Sequence, residues 1–297
     1  MHDRDCLHRF LFEQFPIRGH LVHVDAAWAA LTLHHEYPEA VRNLLGETVA
    51  ASLLLAATVK FEGVLSLQLE GDGPVRLLLA QCTSGLGVRG LARYREAPPA
   101  DADLGSGNLT VTLETDDGAQ RYQGIVPIVG ERLDESLQTY FENSEQLPTR
   151  LWLHADASGA SGLLLQKLPT SHASTQIAAT ADEVEDAWRR VQLIGGTLTA
   201  EELRTLADVE ILRRLFNEDD VRVFEPSPVY FRCRCSRERV AGMLQGLGEA
   251  ESRSVLAERG EVEVRCDFCN RAYVFDAVDV EQLFNGSVAA GGGGSVH

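Results

Sequence analysis

The chain has 297 residues, of which 44% are hydrophobic, and it carries a formal net charge of −17. This length and apolar content exclude a wholly disordered protein and allow one large domain or two to three small ones. The charge argues against a nucleic acid or an anionic membrane as a partner, because an acidic chain repels polyanions unless it has a segregated basic patch.

No segment has the pattern of a signal peptide or of a transmembrane helix. The first 24 residues mix charged and apolar side chains, and the longest apolar run, 49–59, is too short to cross a bilayer. We therefore expect a cytoplasmic protein, in which thiols stay reduced. Four of the six cysteines lie in the last quarter of the chain. Under reducing conditions, such clusters are more often metal ligands or redox groups than structural disulfides.

Residues 1–175 are predicted to form an N-terminal mixed α/β domain, so that the fold class is α+β. Alternating apolar residues predict strands, and apolar residues at helical spacing predict helices. The predicted elements are a β-hairpin at 7–24, helices at 25–35 and 38–60, paired strands at 64–70 with 75–82 and at 108–115 with 121–129, a helix at 134–143, and strands at 151–154 and 162–168.

Residues 176–229 are predicted to form a helical linker. A Ser- and Thr-rich stretch at 169–180 marks its start, and residues 181–225 hold 12 acidic and 6 basic side chains with helical periodicity. Thr199 and Glu202 have the spacing of a capping box. Two interpretations stay open: an ordinary connector packed on the main domain, or a marginally stable element that detaches, which the excess of like charge favours.

Residues 230–286 are predicted to form a small C-terminal domain, and the Gly-rich tail at 287–297 is predicted to be disordered. The domain has few apolar residues for its size, and so small a unit usually needs a disulfide or a metal ion to stay folded. Its four cysteines are the available groups.

The four cysteines form two tight pairs, Cys233-x-Cys235 and Cys266-x-x-Cys269, separated by thirty residues. This spacing is typical of a tetrahedral site in which four thiolates bind one Zn²⁺. The second pair lies between two short apolar segments, as expected of a strand–turn–strand metal knuckle. Arginines next to the cysteines offset the net charge of −2 that four thiolates and one Zn²⁺ carry.

The spacing leaves four kinds of site open: a structural zinc site, a zinc–thiolate redox switch, a catalytic dithiol and an iron–sulfur site. A switch is physically possible because neighbouring thiolates that bind zinc could also close local disulfides. Oxidation would then remove the metal ligands, and a unit that depends on its metal should unfold.

The remaining polar residues give no further site. We interpret Cys6 and Cys82 as inert thiols, and the histidines as ordinary core or surface residues: His20, His23, His34 and His35. Gly71-x-Gly73 is too short for a dinucleotide-binding loop, and no serine lies in a nucleophile-elbow pattern. We therefore predict no catalytic residue, no organic cofactor and no enzymatic activity.

The chain resembles a known family over essentially its whole length. The segments that carry the resemblance are HHEYPEAVRNLLGE at 34–47, LSLQLEGDGP at 65–74, YFENSEQLPT at 140–149, GLLLQKLP at 162–169, FRCRCSRE at 231–238 and EVEVRCDFCN at 261–270. The family is that of the bacterial redox-regulated chaperones known as 33-kilodalton heat-shock proteins.

The resemblance implies an ATP-independent holdase that is zinc-bound and inactive when reduced. Oxidation would form the disulfides Cys233–Cys235 and Cys266–Cys269, release the one zinc ion of each chain and destabilise the linker. The active form would be a homodimer that holds unfolding client proteins under oxidative stress, in the cytoplasm, without nucleic acid or membrane.

Two other functions are consistent with the same cysteines. A zinc-stabilised module that binds nucleic acid or protein is favoured by the arginines at 232–239 and opposed, for nucleic acid, by the net charge of −17. A dithiol oxidoreductase would need only one cysteine pair and would show turnover.

Overall fold

The computed structural model describes residues 4–96, 98–100, 102–118, 121–130, 132–169 and 179–285. The chain divides into two compact units, Met1–Arg232 and Cys233–His297. Most of the predicted 169–180 boundary and the tail at 287–297 lie outside the described residues. The three-part division at 175, 229 and 286 stays a prediction, and the helices of the predicted linker lie within the first unit.

The first unit contains two β-sheets and six α-helices within the described residues. In chain order they are β1 (Cys6–Phe12), β2 (Ile17–Val24), α1 (Ala26–Thr32), α2 (Glu39–Thr58), β3 (Gly63–Gly71), β4 (Val75–Thr83), β5 (Gly87–Tyr94), β6 (Gly107–Thr115), β7 (Arg121–Pro127), α3 (Leu133–Tyr140), a π-helical turn (Phe141–Glu145), β8 (Thr149–Ala155), β9 (Ala160–Lys167), α4 (Ala181–Gly195), α5 (Ala200–Thr205), α6 (Asp208–Phe216), β10 (Val221–Val223), β11 (Ser227–Pro228) and β12 (Tyr230–Phe231).

The first sheet has the order β10-β1-β2-β9-β8, with β11 also paired to β1, and the second has the order β12-β5-β4-β3-β6-β7. The predicted hairpin at 7–24 is confirmed, with Leu7 opposite Val22. The predicted pairs β3 with β4 and β6 with β7 are also confirmed. Strand β5, which pairs with β4, was not predicted. The predicted fold class, α+β, is confirmed.

Helix α2 is the central element of the first unit and contacts strands of both sheets. Its leucines, valines and alanines are buried on almost every side, so the helix has no polar stripe of the kind that a surface helix shows. By length and composition alone, α2 is apolar enough to cross a bilayer. However, 67% of its apolar 18-residue segment is buried inside the first unit, as expected of a core helix.

The first sheet is covered on both faces. Strand β9 shows this directly, because Leu164 packs in the cluster that contains α2, whereas Leu163 and Leu165 pack on the opposite face. On that opposite face lie the helices α4, α5 and α6, whose Trp188, Ile211 and Phe216 are buried against β1 and β2. The helices of the predicted linker thus pack on the first sheet of the main domain.

The ends of the linker helices follow local sequence signals. Thr199 and Glu202 form the predicted capping box at the start of α5, and Thr180 and Glu183 form a second one at α4. Helix α4 ends at Gly195, and Gly196 is its C-cap residue.

The second unit contains α7 (Arg237–Leu247), α8 (Glu249–Arg259), β13 (Val262–Arg265), β14 (Ala272–Phe275) and α9 (Ala277–Asn285). Strands β13 and β14 form an antiparallel hairpin, in which Val262 lies opposite Phe275. Within its described residues, the core cluster has six buried side chains: Val240, Leu244, Val262, Tyr273, Phe275 and Val280. This small core agrees with the few apolar residues noted in the sequence.

Candidate metal centre

The four predicted cysteines lie in two segments of the second unit. Cys233 and Cys235 precede α7 in a stretch without regular secondary structure, whereas Cys266 and Cys269 lie in the turn between β13 and β14. The turn is closed by hydrogen bonds from Cys266 N to Arg271 O (3.1 Å) and from Asn270 N to Cys266 O (2.8 Å). This is the strand–turn–strand context that the spacing of the second pair predicts.

The fold of the second unit brings the four sulfur atoms of these two segments together. All four Sγ atoms lie within 4.8 Å of one another, with 3.6 Å between Cys233 and Cys266 and 3.4 Å between Cys235 and Cys269. Four sulfurs at about 2.3 Å from a tetrahedral ion are about 3.8 Å apart, so the group is close to the size that such an ion requires. The four cysteines could therefore hold one metal ion.

The thiols of this group differ in acidity. Burial raises the pKa of Cys235, but hydrogen bonds from the Tyr273 hydroxyl, at 3.1 Å, and from the other thiols outweigh burial and lower it to about 7. Burial raises the pKa values of Cys233 and Cys269. Near neutral pH the metal-free group thus shares few negative charges, and a divalent cation would displace the remaining protons.

The arginines expected to offset the thiolate charge also have other partners. The guanidinium of Arg237 pairs with Asp279 at 2.7 Å and lies 4.3 Å above the ring of Phe275. Arg265 pairs with Glu263, and Arg239 donates to the carbonyl of Arg234. These contacts fasten α7, α9 and the hairpin around the cysteines, and they reduce the positive charge that is available to a polyanion.

Most of the other residues considered in the sequence behave as expected. Cys82 is fully buried in β4, and burial raises the pKa of its thiol to about 12, so it is a poor nucleophile. His20 is buried. Its pKa is lowered to about 3, mainly by burial and to a smaller extent by the positive charges of Arg18 and Arg9. The ring of His35 stacks on that of Tyr37 at 4.7 Å.

Cys6 and His23 are buried, as the sequence allows, but they are not isolated. Both lie beside His8 and Asp208 in the first unit, and Cys6, His8 and Asp208 form a second group that could hold a metal ion. The sequence contains a signal for this group, Cys-x-His at 6–8, which places both side chains on one face of a strand. No sequence pattern near Cys6 and His8 indicates Asp208, which is 200 positions from His8 in the chain.

Comparisons with known proteins agree on one family. A family model described as "Hsp33 protein" matches residues 5–276. The chain is similar to the "33 kDa chaperonin" of Nitrosococcus oceani, with 48% identity over 293 residues and 98% of each chain covered. It is also 44% identical to the protein of that name from Methylobacillus flagellatus, with 97% of each chain covered.

A solved structure shares the fold. The crystal structure of the 33 kDa chaperonin (heat shock protein 33 homolog) from Thermotoga maritima matches with a TM-score of 0.78 and covers 96% of this chain and 99% of that one. Its sequence identity to this chain is 22%, so this match supports the fold alone.

Proposed function

The chain belongs to the Hsp33 protein family of chaperones, and on this premise we propose that it is a redox-regulated holdase. In the proposed resting state, Cys233, Cys235, Cys266 and Cys269 hold one Zn²⁺ per chain and the chaperone is inactive. The observation that carries the proposal is the convergence of four sulfur atoms in a unit with only six buried side chains in its described core cluster.

Zinc is the metal that the donor set favours. Four thiolates prefer soft or borderline ions, and a tetrahedral group of four cysteines is typical of structural zinc. When bound, zinc would supply folding free energy to the unit and keep the four sulfurs deprotonated. Three of the four cysteines are partly exposed, so small oxidants could reach them from solvent.

Oxidation would convert the four thiols into two disulfides. Each disulfide forms with the loss of two electrons and two protons, which one molecule of hydrogen peroxide accepts to become two molecules of water. Family resemblance favours the pairs Cys233–Cys235 and Cys266–Cys269. The distances leave disulfides between the two cysteine pairs open as an alternative, because Sγ contacts of 3.6 Å and 3.4 Å join Cys233 to Cys266 and Cys235 to Cys269.

The loss of four sulfur donors would unfold the second unit, because its core is small. We propose that this change loosens α4, α5 and α6 and uncovers the apolar face of the first sheet. That face includes Phe10, Phe12 and Leu21, which the helices bury in the folded state. Exposed apolar surface of this kind binds other exposed apolar surfaces, such as those of unfolding client proteins.

The proposed active form is a homodimer that acts in the cytoplasm without ATP, nucleic acid or membrane. We also propose that it has no enzymatic activity, so the thiols react once for each activation and do not turn over. A dithiol oxidoreductase, in contrast, would catalyse repeated reduction of a disulfide substrate such as insulin.

The test combines three measurements on the full chain before and after treatment with peroxide at raised temperature. Zinc release, free-thiol count and light scattering of a thermolabile client protein are followed together, without ATP. We expect oxidised protein to lose the zinc of the four-cysteine site together with four thiols and to suppress aggregation, and reduced protein to do neither. Protein that loses zinc yet leaves client aggregation unchanged would contradict the holdase proposal.

A further inference from the structure

A second cluster of metal-ligating side chains lies far from the four cysteines in sequence, in the first unit. Cys6 and His8 are two residues apart on β1, and His23 lies on β2 directly opposite Cys6. These three side chains share the face of the sheet that α4, α5 and α6 cover. Asp208, the first residue of α6, reaches them from above that face.

The contacts within the cluster are short. Asp208 Oδ2 lies 2.5 Å from His8 Nδ1 and accepts from the Cys6 thiol at 3.6 Å, and Cys6 Sγ lies 3.8 Å from His8 Nδ1. The second carboxylate oxygen, Oδ1, lies 2.5 Å from His23 Nδ1. A nitrogen, a sulfur and an oxygen therefore converge on one point, and all three come from residue types that bind transition metals.

The side chains of this cluster are buried, and burying polar and charged groups costs free energy unless other groups compensate them. Cys6 is 7% exposed, His23 1% and Asp208 9%. Both oxygens of the Asp208 carboxylate contact ring nitrogens, Oδ2 that of His8 and Oδ1 that of His23. A carboxylate buried in this way needs hydrogen-bond donors or a bound cation to offset the loss of water.

We propose that Cys6, His8 and Asp208 form a second metal site, which binds Zn²⁺ or an ion of similar ligand preference. Around a tetrahedral ion, sulfur–nitrogen and sulfur–oxygen separations are about 3.6 Å, close to the distances in the cluster. The nitrogen–oxygen pair would have to open from 2.5 Å to about 3.4 Å as the ion replaces the proton between His8 and Asp208.

The surroundings suit a site with three protein ligands and one open position. A groove of about 420 Å³ borders the cluster and is lined by all three proposed ligands, together with Arg4, Asp5, Leu206 and Pro226. An ion could enter through this groove, and water could complete its coordination. The groove thus provides the path and the vacant position that a fully enclosed cluster would lack.

His23 would position the carboxylate rather than bind the ion. Its Nε2 donates to the carbonyl of Leu203 at 2.6 Å, so the ring is held between α5 and Asp208. Groups that fasten a ligand in this way typically change metal affinity 10–100-fold when they are replaced. Because Asp208 belongs to α6 and the other ligands to β1, a bound ion would also fasten the linker helices to the sheet.

The proposal goes beyond the proposed holdase function, and only the expected total of two ions rests on the zinc site of that function. It is tested by metal content and Co²⁺ absorption of the reduced full chain after dialysis against a small excess of Zn²⁺ or Co²⁺. We expect two ions per wild-type chain and one in the variants Cys6→Ser and Asp208→Asn. The matched control is Cys82→Ser, which changes another buried cysteine of the first unit and should keep two ions.

A second variant separates this site from the four-cysteine site. The double variant Cys266→Ser/Cys269→Ser should lose the ion of the second unit and keep the one at Cys6, with a Co²⁺ spectrum of mixed sulfur, nitrogen and oxygen ligation. His23→Gln should keep that ion but weaken its affinity 10–100-fold, the range typical of such positioning groups. A wild-type chain that saturates at one ion, with a Co²⁺ spectrum that Cys6→Ser leaves unchanged, would overturn the proposal.

Discussion

The two units of the chain reach stability by different means. The first unit buries apolar clusters on both faces of its first sheet, with α2 on one side and α4, α5 and α6 on the other. The second unit has a described core cluster of six buried side chains beside four convergent sulfur atoms. Apolar burial thus accounts for the first unit, whereas the core of the second unit is of the small size that usually needs a metal ion or a disulfide as well.

This difference indicates which of the two units an oxidant is able to alter. A well-packed unit responds little to oxidants where a thiol is buried and weakly acidic, as that of Cys82 is. A unit that depends on a few ligand atoms responds as a whole when those atoms are modified.

Metal removal should affect the second unit far more than the first. In the reduced protein treated with a strong chelator, we expect hydrogen-exchange protection to be lost in β13 and β14 and retained in α2. Structural zinc in small units contributes about 10–16 kcal/mol of apparent binding free energy, which exceeds what a small core provides. A metal-free chain whose β13 and β14 remain protected would show that the second unit folds by burial alone.

Replacement of a single cysteine should likewise destabilise the second unit more than the first. Cys269→Ser should remove most of the zinc from the second unit and lower its stability by several kcal/mol even under reducing conditions, because three thiolates hold zinc less tightly. Cys82→Ser leaves a buried hydroxyl in β4, which should cost about 1–3 kcal/mol in the first unit without changing the metal content. Metal analysis and unfolding curves of both variants check this, and equal zinc in Cys269→Ser and the wild type would contradict the ligand set.

The packing of the linker helices can be tested with two apolar residues of α6. Ile211 is fully buried and Val209 is 61% exposed. Ile211→Ala should destabilise the first unit by about 2–5 kcal/mol through lost burial and a cavity, whereas Val209→Ala should change stability by less than about 0.5 kcal/mol. Urea unfolding measures both effects.

The same pair tests whether the linker helices mask the client-binding surface. If they do, reduced Ile211→Ala should suppress client aggregation in part without oxidation, and reduced Val209→Ala should not. Equal inactivity of both reduced variants, with Ile211→Ala destabilised as expected, would place the client-binding surface elsewhere.

The features that could be predicted from the sequence are those that local spacing encodes. The hairpin β1–β2, the helix α2 and the capping box at Thr199 follow from patterns within a few residues of each other. The four-cysteine group belongs to this class as well, because each pair is compact and only one long-range contact has to bring the pairs together.

The features that could not be predicted depend on partners distant in the chain. Strand β5 contains Gly87 and Gly90 and two arginines, so its own composition does not favour a strand, and it is a strand because β4 and β12 pair with it. The cluster of Cys6, His8 and Asp208 joins residues that are two hundred positions apart. Tertiary packing creates it, and only the Cys-x-His part leaves a local signal.

The contact between α6 and the first sheet should depend weakly on acid. In the folded protein, hydrogen bonds from His23 and His8 outweigh burial and lower the pKa of Asp208 to about 2 from an ordinary value of 3.8, and the Cys6 thiol also faces this carboxylate. Since the folded state holds its proton less tightly than the unfolded state, Asp208 stabilises the fold above the ordinary pKa. This contribution, about 2 kcal/mol, is lost as the pH falls from about 5 towards 2.

Urea unfolding of the metal-free protein at pH 6 and pH 3 tests this prediction, with Asp208→Asn as the variant. The stability difference between wild type and Asp208→Asn should shrink by about 1–2 kcal/mol at the lower pH, because the asparagine has no charge to lose. Asp186→Asn is the matched control, since the Asp186 side chain is 78% exposed on α4 and pairs with Arg189 only at 3.7 Å. Its difference from wild type should be small at both pH values. A constant difference for Asp208→Asn would mean that the carboxylate charge does not hold α6 on the sheet, and that the apolar cluster around Ile211 holds it alone.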